Sequence, residues 1–195
     1  SVYTSKALTS STTLNYNHSF GKHNLAAMAG FETEKRDLLI LYASAQNYAA
    51  ALPELSNGQS NSNSSMSYTA AMMSWLGSLN YNYDNKYYFS ASYRRDGSSR
   101  LAADNRWSDF FSVSGAWRIS REEFLKDNDL FSDLKLRLSY GTNGNLPPDY
   151  YGYMGTYSTS GGYGSQPAIF WGQMANEKLS WEIYQNVIIG LDWTL

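Results

Sequence analysis

The chain has 195 residues, a formal net charge of −2 and no cysteine. Fifteen Lys and Arg stand against seventeen Asp and Glu, with no basic run longer than Arg94-Arg95, which excludes the one-sided cationic footprint of a nucleic-acid binder. Mean hydropathy is −0.47 and no run approaches the roughly 18 apolar residues of a membrane helix, so a membrane reading must rest on alternation. The lack of thiols is compatible with passage through an oxidising periplasm. Seventeen Tyr and six Trp are the compositional oddity, because such rings favour the headgroup zones of a bilayer. Composition alone leaves an aromatic-rich soluble β-sandwich equally open. The opening Ser-Val-Tyr-Thr shows no charged region followed by an apolar one, so the start reads as processed or as internal to a longer chain.

In chain order, the pattern predicts seven strands: Thr12–Phe20, His23–Thr33, Met72–Tyr83, Lys86–Arg95, Trp107–Ile119, Leu134–Gly141 and Trp181–Thr194. Successive strand side chains point to opposite faces, so Trp75, Leu79, Tyr81 and Tyr83 share one face while Ser74, Ser78, Asn80 and Asn82 share the other. Tyr87, Phe89, Ala91 and Tyr93 repeat the pattern, as do Phe111, Val113, Gly115, Trp117 and Ile119. In the last strand Ile183, Val187, Ile189, Leu191 and Trp193 oppose Glu182, Asn186, Gly190 and Asp192, with Gln185 the polar member of the apolar set. Gly21-Lys22 and Asp84-Asn85 are predicted two-residue hairpin turns.

Long polar connections, Glu34–Thr69, Asp96–Arg106 and Thr142–Ser180, alternate with these short ones, and Ser120–Asp133 takes the third short place. Outer-membrane barrels have short periplasmic turns and long extracellular loops, which orients the strands. Strands of about 10 residues, rising ~3.3 Å each and tilted ~40°, cover roughly 25 Å, the height of a barrel's apolar band. Within the connections, Leu38–Leu52 is expected to form a short helix and Ser56–Ser67 a mobile Ser/Asn tract. Ser120 and Glu123 carry the spacing of a capping box, so one or two helical turns are expected there, with Glu122 and Glu123 complementing the helix dipole. Bacterial single-chain barrels close with even strand numbers, and an open sheet leaves backbone groups unsatisfied in lipid. Seven strands therefore read as one arc of a larger barrel.

The densest stretches are Leu79-Asn80-Tyr81-Asn82-Tyr83-Asp84-Asn85-Lys86-Tyr87, Tyr93-Arg94-Arg95-Asp96-Gly97-Ser98-Ser99-Arg100 and Asn105-Arg106-Trp107. Ser112 to Ser120 with Glu123-Phe124, Leu134 to Gly141 with Gly144-Asn145, and Leu179-Ser180-Trp181-Glu182 with Gly190-Leu191-Asp192 continue the series. Together they resemble the SusC/RagA family of TonB-linked outer-membrane proteins of Bacteroidetes. Asp109-Phe110-Phe111 stands where the family pattern has Phe-Pro, and Leu146-Pro147-Pro148 replaces the commoner residues after Gly-Asn.

The resemblance implies an all-β, antiparallel transmembrane barrel of about 22 strands. Residues 1–195 would form part of its C-terminal half, with the plug and the remaining strands absent. It further implies import of a glycan or peptide, energy from the TonB complex through the absent N-terminal region, a SusD-like surface lipoprotein as lid, and a bacterial outer-membrane location in contact with lipid. No cofactor and no catalysis are expected.

Arg94, Arg95, Asp96 and Arg100 are expected to cluster where a strand meets a loop and to hold that loop against the wall, with Gly97 permitting the turn. Direct substrate contact is the alternative role. Lys135, Arg137 and Arg118 share the polar face. Candidate substrate contacts are the loop aromatics Tyr153, Tyr157, Tyr163 and Trp171, beside Tyr150, Tyr151 and Phe170, since sugar rings present C–H faces that stack on such rings. The competing reading packs these rings onto the loop itself or against a partner lipoprotein.

No nucleophile elbow, P-loop, dinucleotide fingerprint or metal-spaced Cys/His set is present. His18 and His23 lack further ligands, and Asp127, Asp129 and Asp133 lack the Gly and terminal Glu of a calcium loop, so they read as solvated. Two rival classes remain at this point: a soluble carbohydrate-binding β-sandwich module, and a surface adhesin or structural barrel.

Overall fold

The computed structural model describes residues 1–48, 54–125, 132–163 and 166–194, with no side-chain description for 159–163 and 166–167. Its main body is one antiparallel sheet of seven strands, paired in the order β1-β2-β3-β4-β5-β6-β9. The strands are β1 (Val2–Phe20), β2 (His23–Gln46), β3 (Gln59–Tyr83), β4 (Tyr87–Ser98), β5 (Trp107–Arg118), β6 (Asp133–Asn145) and β9 (Glu182–Thr194). A separate two-stranded hairpin, β7 (Thr156–Tyr163) with β8 (Gln166–Gln173), sits in the connection between β6 and β9.

The register lines up like with like across the whole sheet. One row runs Phe20, His23, Tyr83, Tyr87, Trp117, Leu136 and Leu191, and another Tyr16, Ala27, Leu79, Ala91, Val113, Tyr140 and Val187. The interleaved rows are mainly polar, for example Asn17, Ala26, Asn80, Ser90, Ser114 and Ser139, a row that ends on Ile188 of β9. Because the side-chain period is two, a slip of one residue would exchange the two faces, so these rows hold the register. Among the described residues no second sheet covers the aromatic face. Trp75, Phe89, Val113, Ile189 and Trp193 are all exposed, and among the described residues Leu101 and Phe110 are the buried hydrophobic side chains. A sandwich would have turned this face inward; here it stays open.

Several connections differ from the sequence expectation. Leu38–Gln46 is strand rather than helix, the rest of that expected helix lies partly outside the described residues, and the Ser/Asn tract from Gln59 is strand as well. The run Leu38-Leu39-Ile40-Leu41-Tyr42 is β-prone and pairs with Tyr68 to Ser64, so the polar tract completes a ladder that its own composition does not signal. As a result β3 has 25 residues, ~80 Å along its axis, far more than a ~25 Å apolar band requires. The second hairpin loop has three residues, since Tyr83 pairs with Tyr87, and Asp84 and Asn85 both have φ of 51°.

The short-turn end is cross-tied. Lys22 donates to Asp84 at 2.9 Å between the two turns. That hydrogen bond holds the Asp84 carboxyl below its ordinary value and raises the Lys22 ammonium. The link after β5 forms two single 3-10 turns, Ile119–Arg121 and Glu123–Leu125, but no capping box. Ser120 Oγ instead donates to Asp133 at 2.9 Å, beside a two-pronged Arg118–Asp133 pair at 2.9 Å, so Asp133 is not free in solvent. Asp127 and Asp129 lie outside the described residues.

Glu122, rather than facing a helix dipole, accepts from Tyr87 Oη at 2.5 Å, Trp117 Nε1 at 3.1 Å and Lys86 Nζ at 3.4 Å, with its side chain 16% exposed. These donors hold its carboxyl below the ordinary value of 4.5, the Tyr87 hydroxyl contributing most. A carboxylate depressed on folding adds stability above its unfolded value and loses it as pH falls through the lower folded value. In the full-length receptor carrying this segment, resistance to urea unfolding in detergent should therefore fall from pH 5 towards pH 3, and Glu122→Gln should be less stable at pH 7 with a flatter acid limb; an unchanged acid limb would count against this role of Glu122. The open aromatic face also predicts that the isolated 195 residues aggregate in water without detergent. A monodisperse, cooperatively melting monomer would contradict this.

Candidate functional site

The sequence-predicted charged cluster is split by the strand pleat. Arg94 and Asp96, two residues apart, lie on the polar face, where Arg94 Nε donates to both Asp96 oxygens at 2.6 and 2.8 Å. Arg94 Nη2 reaches Ser74 Oγ at 3.0 Å and faces Glu32 at 3.8 Å. Ser74 is buried and Asp96 only 7% exposed, so the carboxylate of this cluster is nearly enclosed. Arg36 and Glu34 pair at 2.9 Å nearby.

Arg95 points the other way, onto the aromatic face. There it faces Asp109 at 3.8 Å and lies over the Trp107 ring at 5.7 Å, while Tyr93 Oη donates to the same Asp109 at 2.6 Å. Gly97 is not in a turn: it sits within β4 opposite Met73 and Trp107, and a Cβ there would come within 2.7–2.8 Å of the Trp107 ring. Its role is to let that ring lie flat on the strand. Gly144 does the same for Phe110, whose ring would overlap any Cβ at that position.

Arg100 contacts the connection that follows β6. Its guanidinium donates to the carbonyls of Pro148 and Asp149 and lies over the Tyr150 ring at 4.8 Å. Tyr68 packs on Tyr150 and Tyr151 at 5.1 and 6.2 Å, and Tyr151 Oη accepts from the Thr69 amide at 3.1 Å. Trp181 closes the far end of the connection, edge-on to Phe110 at 5.5 Å with its indole donating to the Arg106 carbonyl at 3.0 Å. Lys135, Arg137 and Arg118 share the polar face and pair locally: Lys135 over Tyr88 at 4.7 Å and Arg137 with Asp192 at 2.7 Å.

The four candidate ligand contacts part company. Tyr157 and Trp171 are opposite each other in the β7–β8 hairpin with ring centroids 4.8 Å apart, yet 64% and 71% exposed. Tyr153 is half-buried in the preceding turn, its carbonyl accepting from the Asn176 amide at 3.1 Å. Tyr163 ends β7, and its side chain lies outside the described residues. Thus Tyr150 and Tyr151 pack the loop, as the competing reading has it, while Tyr157 and Trp171 present an open aromatic surface. The hairpin itself escaped the sequence reading. The run Ala168-Ile169-Phe170-Trp171 after a Tyr/Thr/Ser segment was its signal, obscured by the surrounding Gly and Ser.

Among the described residues no group of His, Asp or Glu could hold a metal. His23 Nδ1 shares a hydrogen bond with Tyr81 Oη at 2.7 Å, and His18, Phe20 and His23 stack at 5.6 and 5.0 Å.

A single-layer antiparallel sheet with an open aromatic face, a polar face and short turns opposite long loops defines a wall segment of a membrane β-barrel. Comparison with known proteins identifies which one. The chain is 32% identical over 195 residues to TonB-dependent receptor P3 of Formosa agariphila, covering 93% of this chain and 19% of the relative. It is 38% identical over 135 residues to TonB-dependent receptor SusC of Bacteroides thetaiotaomicron, covering 63% of this chain and 13% of the relative. The solved RagAB peptide transporter superposes with a TM-score of 0.88 at 27% identity, over 98% of this chain and 22% of that one. No family model matches. The chain belongs to the SusC/RagA family of TonB-dependent receptors and spans about a fifth of the length of P3, the first of these relatives.

The split of the two arginines predicts different consequences of removing each. In the full-length receptor, Arg94→Ala strands the nearly buried Asp96 and should cost about 1–3 kcal/mol, between an exposed and a buried pair. Arg95→Ala removes an exposed pair and should cost under about 1 kcal/mol. Urea titration of both variants checks the ranking.

Proposed function

We propose that these residues form one arc of an outer-membrane importer that works with a SusD-like surface lipoprotein and draws energy from TonB. The observation that carries this is the conjunction of family membership with an open aromatic face. Such a face is favourable only against lipid, and the unpaired outer edges of β1 and β9 require neighbouring strands in a hydrocarbon setting. The plug and the remaining strands would come from other parts of the receptor. Function is transport without covalent chemistry: the nutrient is captured at the long-loop end under the lipoprotein lid, and plug rearrangement then admits it through the lumen.

The nutrient class we favour is an oligosaccharide. Tyr157 and Trp171 offer exposed, adjoining ring faces without a charged side chain between them, which suits the C–H faces of a sugar ring. A peptide is the second reading, supported by the structural likeness to the RagAB peptide transporter. Arg100 serves this function indirectly, by holding the chain at Pro148 and Asp149 on the wall, and Arg94 and Asp96 by tying β2, β3 and β4 together.

In the full-length receptor, Trp171→Ala and Tyr157→Ala should each weaken nutrient binding about tenfold, with the heat-induced gel shift of the barrel unchanged. Titration with oligosaccharide and peptide libraries separates the two nutrient classes. Unaltered affinity for every ligand that binds would refute the assignment of the hairpin. A receptor that is soluble without detergent and lacks a heat shift would refute the importer itself.

A further inference from the structure

On the aromatic face, close to the long-loop end, the sheet carries a groove of about 370 Å³. At its lower level Met73 and the Trp107 ring lie beside Ser10 and Thr33, and the groove exists because Gly97 leaves that ring room to lie against β4. Its upper part is cationic, with Lys35 and Arg106. The Lys35 side chain is 61% exposed, and the carboxylate paired with it, Asp37, is 3.7 Å away and itself half-exposed. Glu34 also borders the groove, but its carboxylate pairs with Arg36 at 2.9 Å. Arg106 lines the groove with a buried Nε–H that has no hydrogen-bond partner among the described residues. A buried guanidinium donor without an acceptor is costly, and an anionic oxygen seated beside it, after a small rotation of the side chain, would relieve that cost.

The height of the groove matters as much as its chemistry. Lys35 pairs with Ala71, twelve residues along β3 from Tyr83 in the aromatic row at the short-turn end. Twelve residues rise ~40 Å along a strand, or ~30 Å along the normal at a 40–45° tilt, which places Lys35 just past the ~25 Å apolar band. Met73 and Trp107 fall within the band's upper edge. The groove therefore straddles the boundary between acyl chains and headgroups, with Met73 and Trp107 below and the two cations, beside Leu8, above. That is the arrangement a phosphorylated amphiphile requires.

We propose that this groove binds the phosphorylated head of lipid A from the outer leaflet, on the lipid side of the wall and away from the transport path. The inference rests on the outer-membrane reading above, since the height argument applies only to a wall in a bilayer. Lys35 and Arg106 would contact the phosphate, and Trp107 and Met73 would take the first methylenes of the acyl chains.

The test uses the full-length receptor, purified in detergent and incubated with bis-phosphorylated lipid A, dephosphorylated lipid A or phosphatidylglycerol, with bound lipid read by native mass spectrometry. Phosphorylated lipid A should be retained preferentially, and Lys35→Gln and Arg106→Gln should each lower its occupancy about fivefold, as expected for one cation at a headgroup. Lys35 is exposed and its replacement leaves folding intact, so K35Q decides the matter even if R106Q misfolds. Equal retention of the dephosphorylated lipid, or no effect of K35Q, overturns the site. Retention of phosphatidylglycerol in its place overturns the choice of lipid A. A heat-modifiable barrel with no lipid preference sinks the groove alone, whereas a detergent-independent soluble protein sinks the membrane reading and the groove together.

Discussion

The constraint on which this structure depends is the pairing of backbone groups within a single sheet layer. A strand in a two-layer protein can lean on a packed core; here Leu101 and Phe110 are the buried apolar side chains among the described residues, and the main sheet is held by its ladder. Each N–H and C=O must find its partner on the neighbouring strand, most stringently where the surroundings are hydrocarbon. Register is thus the quantity that everything else inherits. It carries the aromatic rows, the polar rows, and the placement of every charged residue on one face or the other.

The pleat then allows two incompatible environments to be served by one strand. Arg94 and Arg95 are adjacent in sequence, yet one is tied to Asp96 and Ser74 on the polar face and the other to Asp109 and Trp107 on the aromatic face. The two ends of the sheet are finished differently. At the short-turn end, compact polar ties join the turns to the wall: Lys22 to Asp84, Arg118 to Asp133, and Glu122 to Tyr87, Trp117 and Lys86. At the long-loop end, larger aromatic and guanidinium contacts hold chain that would otherwise be loosely attached. Arg100 on the carbonyls of Pro148 and Asp149 and Trp181 on Phe110 are the two anchors. Between them the β7–β8 hairpin leaves Tyr157 and Trp171 exposed, so an open aromatic surface is carried on a loop attached to the wall.

Much of this architecture was legible in the residues. The period-two alternation from Met72 to Ile119 and from Trp181 to Thr194 identifies strands and faces, because side-chain direction in a strand is a local property of the backbone. The first turn, Gly21-Lys22, and the two-faced polarity follow from the same local rules, and the SusC/RagA resemblance supplied the family. What local rules missed is instructive. The Ser/Asn tract from Gln59 is strand because Leu38 to Gln46 offers it a partner, and no window on that tract contains this information. Ser120 and Glu123 carry a capping-box spacing, but Asp133 takes the Ser120 hydroxyl.

The sequence by itself determined that the chain is an antiparallel wall with one aromatic and one polar face, since alternation acts within each strand. Only the tertiary structure decided which residues meet. Gly97 makes room for Trp107 rather than a turn, Glu122 caps two aromatic rings rather than a helix, and Tyr150 packs the loop while Trp171 stays open. The physical reason is that these contacts join residues from different strands or loops, whose proximity is set by register and loop path and not by spacing along the chain.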